Sequence, residues 1–266
     1  MGAKTDLLVV IAHPDDEIFA SGTICLCAEK GLGITVVCAT HGEGGSSAGH
    51  GDIRRAELER SASALGAKEV LFLGQADAAA PASPGLEAWD LPYVIRTLAS
   101  ILRESNPGLV LTHGPLGGYG HPAHRLIHAS AMSAARDASY AGSIFSFCGQ
   151  VKGAFFSWHF DQPSDVTIDA RGFLRQRVAS LNCHHSQVDF FLQPYYPRTL
   201  RKCLSALFGL GFGFTEAGRK RIPIATAERF FERFPREGLV LHKAPDGGGH
   251  FFSEHFANDH RVRFDR

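Results

Sequence analysis

Residues 7–12, Leu-Leu-Val-Val-Ile-Ala, form an unbroken apolar run of strand-forming residues, the pattern of a strand covered on both faces. Such a strand needs a layer of side chains on each side of its sheet. The signature returns at 34–39, 69–73 and 109–112, with helical segments between. Helices are predicted over 17–30, closed by Gly31 and Gly33; over 53–65, stopped by Gly66; over 91–104, ended by Asn106-Pro107; and from Pro122 to about residue 137, with proline in the favoured first position. Four β-α units in succession predict a parallel sheet with helices on both faces. The fold class is therefore α/β, a Rossmann-like three-layer sandwich with a mostly parallel sheet.

Beyond residue 140 the alternation blurs. Strands are expected at 154–160, 165–169 and 239–242, and helices at 173–182 and 226–234, around an irregular stretch at 194–224 rich in Gly, Pro and aromatics. Without a repeat or a clear linker, one domain spanning 1–266 is expected, with a core at 1–150 and a C-terminal elaboration at 151–266.

Composition removes several function classes. The 27 Lys and Arg balance 27 Asp and Glu, so no basic field draws nucleic acid or an anionic membrane. No apolar stretch approaches the roughly 18 residues of a membrane span, and the first apolar run leads directly into His13-Pro14-Asp15-Asp16-Glu17 rather than a cleavage site. The 6 cysteines form no CxxC pair and lie in or beside apolar segments, which predicts free thiols in a reducing, cytoplasmic setting.

Open parallel sheets bind ligands beyond the carboxyl ends of their strands. In the strand order 3-2-1-4, strands one and four are neighbours. The turn after the first, His13 to Glu17, then meets the segment after the fourth, Tyr119-Gly120-His121-Pro122-Ala123-His124. His13 and Asp16 are three apart, as are His121 and His124, so each pair can face one ion. Histidine and carboxylate are ordinary zinc ligands, and three protein ligands leave room for a water molecule. A further carboxylate beside such an ion can act as a general base. Taken singly, His-Pro-Asp-Asp and His-Pro-Ala-His are also compatible with capping turns. His184-His185 is expected to cap or pack a helix end, Arg54-Arg55 to open a solvated helix, and the histidines at 242, 250, 255 and 260 to lie in a solvated tail.

The motif Ala12-His13-Pro14-Asp15-Asp16-Glu17 resembles the signature of the LmbE-like, or PIG-L, family of zinc-dependent N-acetylglucosaminyl deacetylases. The likeness extends to the glycine-rich loop after strand two, to Arg54-Arg55-Ala56-Glu57-Leu58, to Gly118-Tyr119-Gly120-His121-Pro122-Ala123-His124 and to His185-Ser186-Gln187, covering roughly residues 5–190. It implies that His13, Asp16 and His124 are the metal ligands, with zinc as the ion and other divalent metals also accepted by these donors. It implies Asp15 as general base, His121 as oxyanion stabiliser, Tyr119 as a tyrosine polarising the carbonyl, and Arg54 as a substrate-binding residue. The implied reaction is removal of an N-acetyl group from an N-acetylglucosamine-type sugar or conjugate, with zinc-activated water as the nucleophile. One departure stands out: the family usually has Asp where this chain has Ala123, and Asp161 or Asp165 are candidate substitutes.

The rivals are an amidase acting on a larger acyl or thiol-sugar conjugate, and a weakly catalytic metal- or sugar-binding protein. Specificity is expected in the loops 40–52 and 74–90 and in the C-terminal third. There Phe190, Phe191, Tyr195 and Tyr196 suit either a stacking wall or core packing. A homo-oligomer is compatible with the sequence.

Overall fold

A computed structural model describes residues 4–44, 51–77, 89–147, 162–187, 224–245 and 249–265, apart from the side chains of residues 119, 224–226 and 233. The first strand, β1 (Leu7–Ile11), runs through a short helical turn (Asp16–Ala20) into α1 (Ser21–Glu29). There follow β2 (Ile34–Thr40), α2 (Gly51–Leu65), β3 (Glu69–Gln75), α3 (Leu91–Ser105) and β4 (Leu109–Thr112). Next come the short turn α4 (Gly117–Gly120), α5 (Pro122–Asp137), β5 (Ser143–Ser146), β6 (Val166–Asp169), α6 (Leu174–Leu181), α7 (Ile224–Arg233), β7 (Arg236–Lys243), α8 (Phe251–His255) and β8 (Val262–Phe264).

All eight strands belong to one sheet, in the order β3-β2-β1-β4-β5-β7-β6-β8. The first five are parallel, and β7, β6 and β8 continue the sheet antiparallel. Successive residues of β1 point to opposite faces. Leu7, Val9 and Ile11 enter a core with Ile24 and Leu26 of α1 and Leu58 and Leu65 of α2. Leu8 and Val10 enter the opposite core with Val94, Leu98 and Leu102 of α3 and Ile127 and Ala134 of α5. The apolar run is unbroken because neither face meets water. A third cluster, Ile18, Leu181, Ala227, Phe230 and Phe231, packs α6 and α7 against the turn after β1.

The expected order 3-2-1-4 is therefore observed, and β1 and β4 are in direct register, Leu7 beside Leu109 through Val10 beside Thr112. The chain leaves β1 for β2 on one side and returns through α3 to β4 on the other. Their carboxyl ends thus form the crevice of a topological switch point. The helix anticipated over 17–30 begins as the tighter turn, and β5, α8 and β8 were not anticipated. The predicted strand at 154–160, and Asp161, lie outside the described residues.

Candidate functional site

The turn after β1 folds around its own carboxylate. The His13 amide donates to Asp16 Oδ2 at 2.7 Å, which draws the two side chains together. Asp15 sits at φ 133°, ψ −14°, a left-handed conformation that a residue with a Cβ seldom adopts. Its amide donates to Glu17 Oε2 at 3.1 Å. After β4, glycines at positive φ (Gly117, Gly118 and Gly120) wind the chain tightly before Pro122 starts α5. This winding sets His121 at the helix boundary and His124 one turn inside.

The two segments meet as the switch point requires. Asp16 Oδ1 lies 3.2 Å from His124 Nε2, and Asp16 Oδ2 lies 3.4 Å from His13 Nδ1. The His121 ring stands 4.4 Å from that of His124 and 4.8 Å from that of His13. His13, Asp16 and His124 are buried, and His121 is half-buried. Two overlapping groups have ligand atoms within 4.8 Å of one another: His13, His121 and His124, and Asp16, His113 and His124. The trio His13, Asp16 and His124 draws members from both.

The donor chemistry fits a cation. His124 Nδ1 is 3.2 Å from the Gly117 carbonyl oxygen, which can only accept, so this nitrogen carries the proton. Its Nε2 faces Asp16 Oδ1 at 3.2 Å, a position where a proton or a metal ion can lie between nitrogen and carboxylate.

Two residues absent from the sequence-based site join it here. His113, at the end of β4, accepts the Ala12 amide at 3.3 Å through Nε2 and lies 3.2 Å from Asp16 Oδ2. Burial and the neighbouring His124 push its imidazole down to about 3, so it stays neutral. Asp77, beyond β3, faces His13 Nε2 at 3.5 Å and Arg54 at 3.7 Å, and accepts the Gly44 amide at 3.1 Å. Both stand at strand carboxyl ends, and the switch-point rule applied to every strand would have flagged them.

Arg54 is not at a solvated helix start; it is 3% exposed. Its guanidinium donates to the Pro14 carbonyl at 2.6 Å and the Gly42 carbonyl at 2.9 Å, and lies 3.2 Å from Asp15 Oδ2. A Cβ at Gly42, itself at φ 80°, would come within 2.6 Å of this guanidinium, so glycine there makes room for it.

Adjacent carboxylates are driven in opposite directions. Burial raises Asp15 to about 6, a rise that Asp16 adds to and Arg54 only partly offsets. Burial also opposes ionisation of Asp16, but His124 and His113 beside it overcome this and hold it well below the usual carboxylate range. His121 is pushed down to about 4, chiefly by burial and then by His124 and His13. The arrangement therefore contains one permanently ionised carboxylate among imidazoles and one carboxylate that exchanges a proton near neutrality, the pattern of a ligand beside a base.

Of the predicted site residues, the structure brings together His13, Asp15, Asp16, Arg54, His121 and His124. The backbone of Tyr119 lies in α4; its side chain lies outside the described residues, as do Phe190, Phe191, Tyr195 and Tyr196. Ala123 is buried in the core between sheet and helices. Asp165 accepts the Leu241 amide at 2.9 Å. His184 packs, fully buried, against Glu17 just beyond the end of α6, the packing alternative to a cap. The solvated-tail expectation fails for His242, which meets Ser146 Oγ at 2.8 Å, and for His250, which caps α8. Cys25, Cys27 and Cys38 are buried free thiols; Cys148 and Cys203 lie outside the described residues. No described helix is long and apolar enough to cross a membrane.

Comparison with known proteins points the same way. The family described as PIG-L, GlcNAc-PI de-N-acetylase, matches residues 8–135. A 1D-myo-inositol 2-acetamido-2-deoxy-alpha-D-glucopyranoside deacetylase from Rhodococcus erythropolis is 32% identical over 237 residues, covering 68% of this chain and 81% of that protein. Among solved structures, a 4-carboxy-2-hydroxymuconate hydratase from Pseudomonas putida superposes with TM-score 0.58 at 25% identity, over 91% of this chain and 97% of that one. The N,N'-diacetylchitobiose deacetylase from Pyrococcus horikoshii gives TM-score 0.58 at 21% identity, over 91% and 87%, a likeness of fold.

Proposed function

Since the chain belongs to the PIG-L (LmbE-like) family, we propose that it hydrolyses the N-acetyl group of an N-acetylglucosamine-type sugar or sugar conjugate, releasing acetate and the free amine. The observation that carries this reading is Asp15, with its carboxylate poised at about 6, beside the buried His13–Asp16–His124 cluster. In this reading His13, Asp16 and His124 hold zinc. When bound there, zinc acts as a Lewis acid towards the amide carbonyl and makes water easier to deprotonate.

The remaining work belongs to the chain. Asp15 takes the proton of the attacking water and returns it to the departing amine. Arg54 holds the Asp15 carboxylate in place from the far side. His121, neutral at pH 7 because its imidazole is pushed down to about 4, offers an N–H to the carbonyl oxygen as charge develops there. Tyr119 is assigned to the same oxygen. The continuous eight-stranded sheet supports a single domain over 1–266, and the buried thiols suit the cytoplasm.

A second reading has one observation behind it. The hydratase match covers nearly the whole of both chains. The same base beside the same cation site could add water to a carbon–carbon double bond. Incubating zinc-loaded protein with a panel of N-acetyl sugars, the inositol glycoside included, and with an unsaturated hydroxy acid separates the two. Acetate and primary amine appearing together support the first reading. Consumption of the unsaturated acid without acetate release supports the second.

A further inference from the structure

Behind Asp15 lies a buried polar cluster that the reaction above does not use. Glu17 and His184 are 167 residues apart in sequence, both have fully buried side chains, and Glu17 Oε1 meets His184 Nε2 at 2.5 Å. The same oxygen accepts the Ser61 hydroxyl of α2, and Ser61 Oγ lies 2.7 Å from Ser180 Oγ of α6. The other oxygen, Glu17 Oε2, accepts the Asp15 amide. One carboxylate thus ties together the turn after β1, α2, the end of α6 and the residue assigned as base.

Burying a carboxylate and an imidazole this deeply is a poor way to gain stability, because desolvation offsets most of their attraction. The local backbone suggests what the pair does instead. Asp15 occupies a positive-φ conformation at 133° that its Cβ disfavours, and such conformations persist only where surrounding contacts over-determine them. Asp15 is held at both ends: its carboxylate by Arg54 at 3.2 Å and its amide by Glu17 at 3.1 Å. His184 and Ser61 in turn fix the Glu17 carboxylate, and Leu181 just before His184 packs with Ile18 just after Glu17.

We propose that Glu17 and His184 are positioning residues: the buried pair holds the Asp15 backbone in its left-handed turn and so aims the carboxylate at the water it deprotonates. The inference rests on the deacetylase reading for its kinetic consequence and on geometry alone for the placement of Asp15. A base displaced by about 1 Å costs on the order of 100-fold in rate.

The test compares zinc-loaded wild type with Glu17→Ala, Glu17→Gln, His184→Ala and the neutral double variant Glu17→Gln/His184→Gln, which preserves volume should the alanine variants fail to fold. Expected are kcat losses of about 10- to 100-fold for Glu17→Ala, His184→Ala and the double variant, with KM within about twofold and zinc content unchanged. Glu17→Gln, which keeps an acceptor oxygen for the Asp15 amide, should recover most of the loss seen in Glu17→Ala. Crystal structures supply the readout that needs no activity: Asp15 should leave its positive-φ conformation, or its carboxylate should swing away from Arg54, in the impaired variants. Folded, zinc-loaded variants with wild-type kcat would overturn the proposal, and so would an unmoved Asp15. If wild type itself releases no acetate from any sugar, the deacetylase reading falls, and the Asp15 geometry in the variants still decides the role of the pair.

Discussion

The two turns that build the site solve the same problem in opposite ways. The turn after β1 contains no glycine between Ala12 and Ala20. It is shaped by side chains: Asp16 closes on the His13 amide, Glu17 on the Asp15 amide, and Arg54 on the Pro14 carbonyl. The turn after β4 is shaped by backbone freedom, with Gly117, Gly118 and Gly120 all at positive φ and Leu116 52% exposed at its tip. The acids are clamped, whereas His121 and His124 are presented by a glycine winding, with His124 Nδ1 set against the Gly117 carbonyl. A base must be aimed before substrate arrives. An imidazole donor needs only to be within reach, because the ion completes its geometry.

This contrast can be broken from either side. The largest effect is expected at His124, the imidazole common to both donor groups. His124→Ala should leave the sheet intact but abolish metal retention and essentially all turnover, as elemental analysis of dialysed protein would register. A stoichiometric ion in that variant would remove His124 from the ligand set.

The clamped turn should also reveal its cost. Asp15 sits at about 6 in the fold against an ordinary 3.8, so the folded state binds the proton more tightly than the unfolded chain. Stability contributed by the protonated form is therefore present at low pH and lost as pH rises from about 4 through 6. In metal-free protein at pH 7, Asp15→Asn should consequently raise stability by about 1–3 kcal/mol, with the gain vanishing near pH 4. Denaturant titration at the two pH values measures this, and a destabilised Asn variant at pH 7 would contradict it.

The glycine turn should fail differently. A Cβ at Gly117, at φ 72°, would fall 2.9 Å from Arg125 Cγ and 3.3 Å from His124 Cβ. Gly117→Ala should cost about 1–3 kcal/mol in stability and weaken zinc affinity, whereas Gly118→Ala, with the same backbone strain but nothing within 4 Å, should cost less. Equal losses at the two glycines would mean that strain, and not the crowding of His124, dominates.

The first four strands, β1 to β4, were legible in sequence because their information is local: an apolar run, a helix, a glycine stop. The strand order placed His13 beside His124 before any distance was known. The rest was legible only in part: strands at 165–169 and 239–242 were expected and are observed as β6 and β7, whereas β5, β8 and the order of pairing were not. β5 is only Ser143–Ser146, too short for a period, and Arg236–Lys243 inserts between β5 and β6 out of chain order, a choice made by partners far away in sequence. The Glu17–His184 pair escaped for the same reason, since nothing at residue 17 points to residue 184. His113 was passed over inside a glycine-rich loop, although its place at the end of a central strand marks it as clearly as His121.

The central claim is that Asp15 moves the proton while His13, Asp16 and His124 hold the ion. Acetate release by zinc-loaded Asp15→Asn, measured beside wild type on the best N-acetyl sugar of the panel and normalised to bound zinc, tests it most directly. Zinc equal to wild type with turnover reduced at least about 100-fold is the predicted result. Turnover within a few-fold of wild type at equal zinc would contradict it.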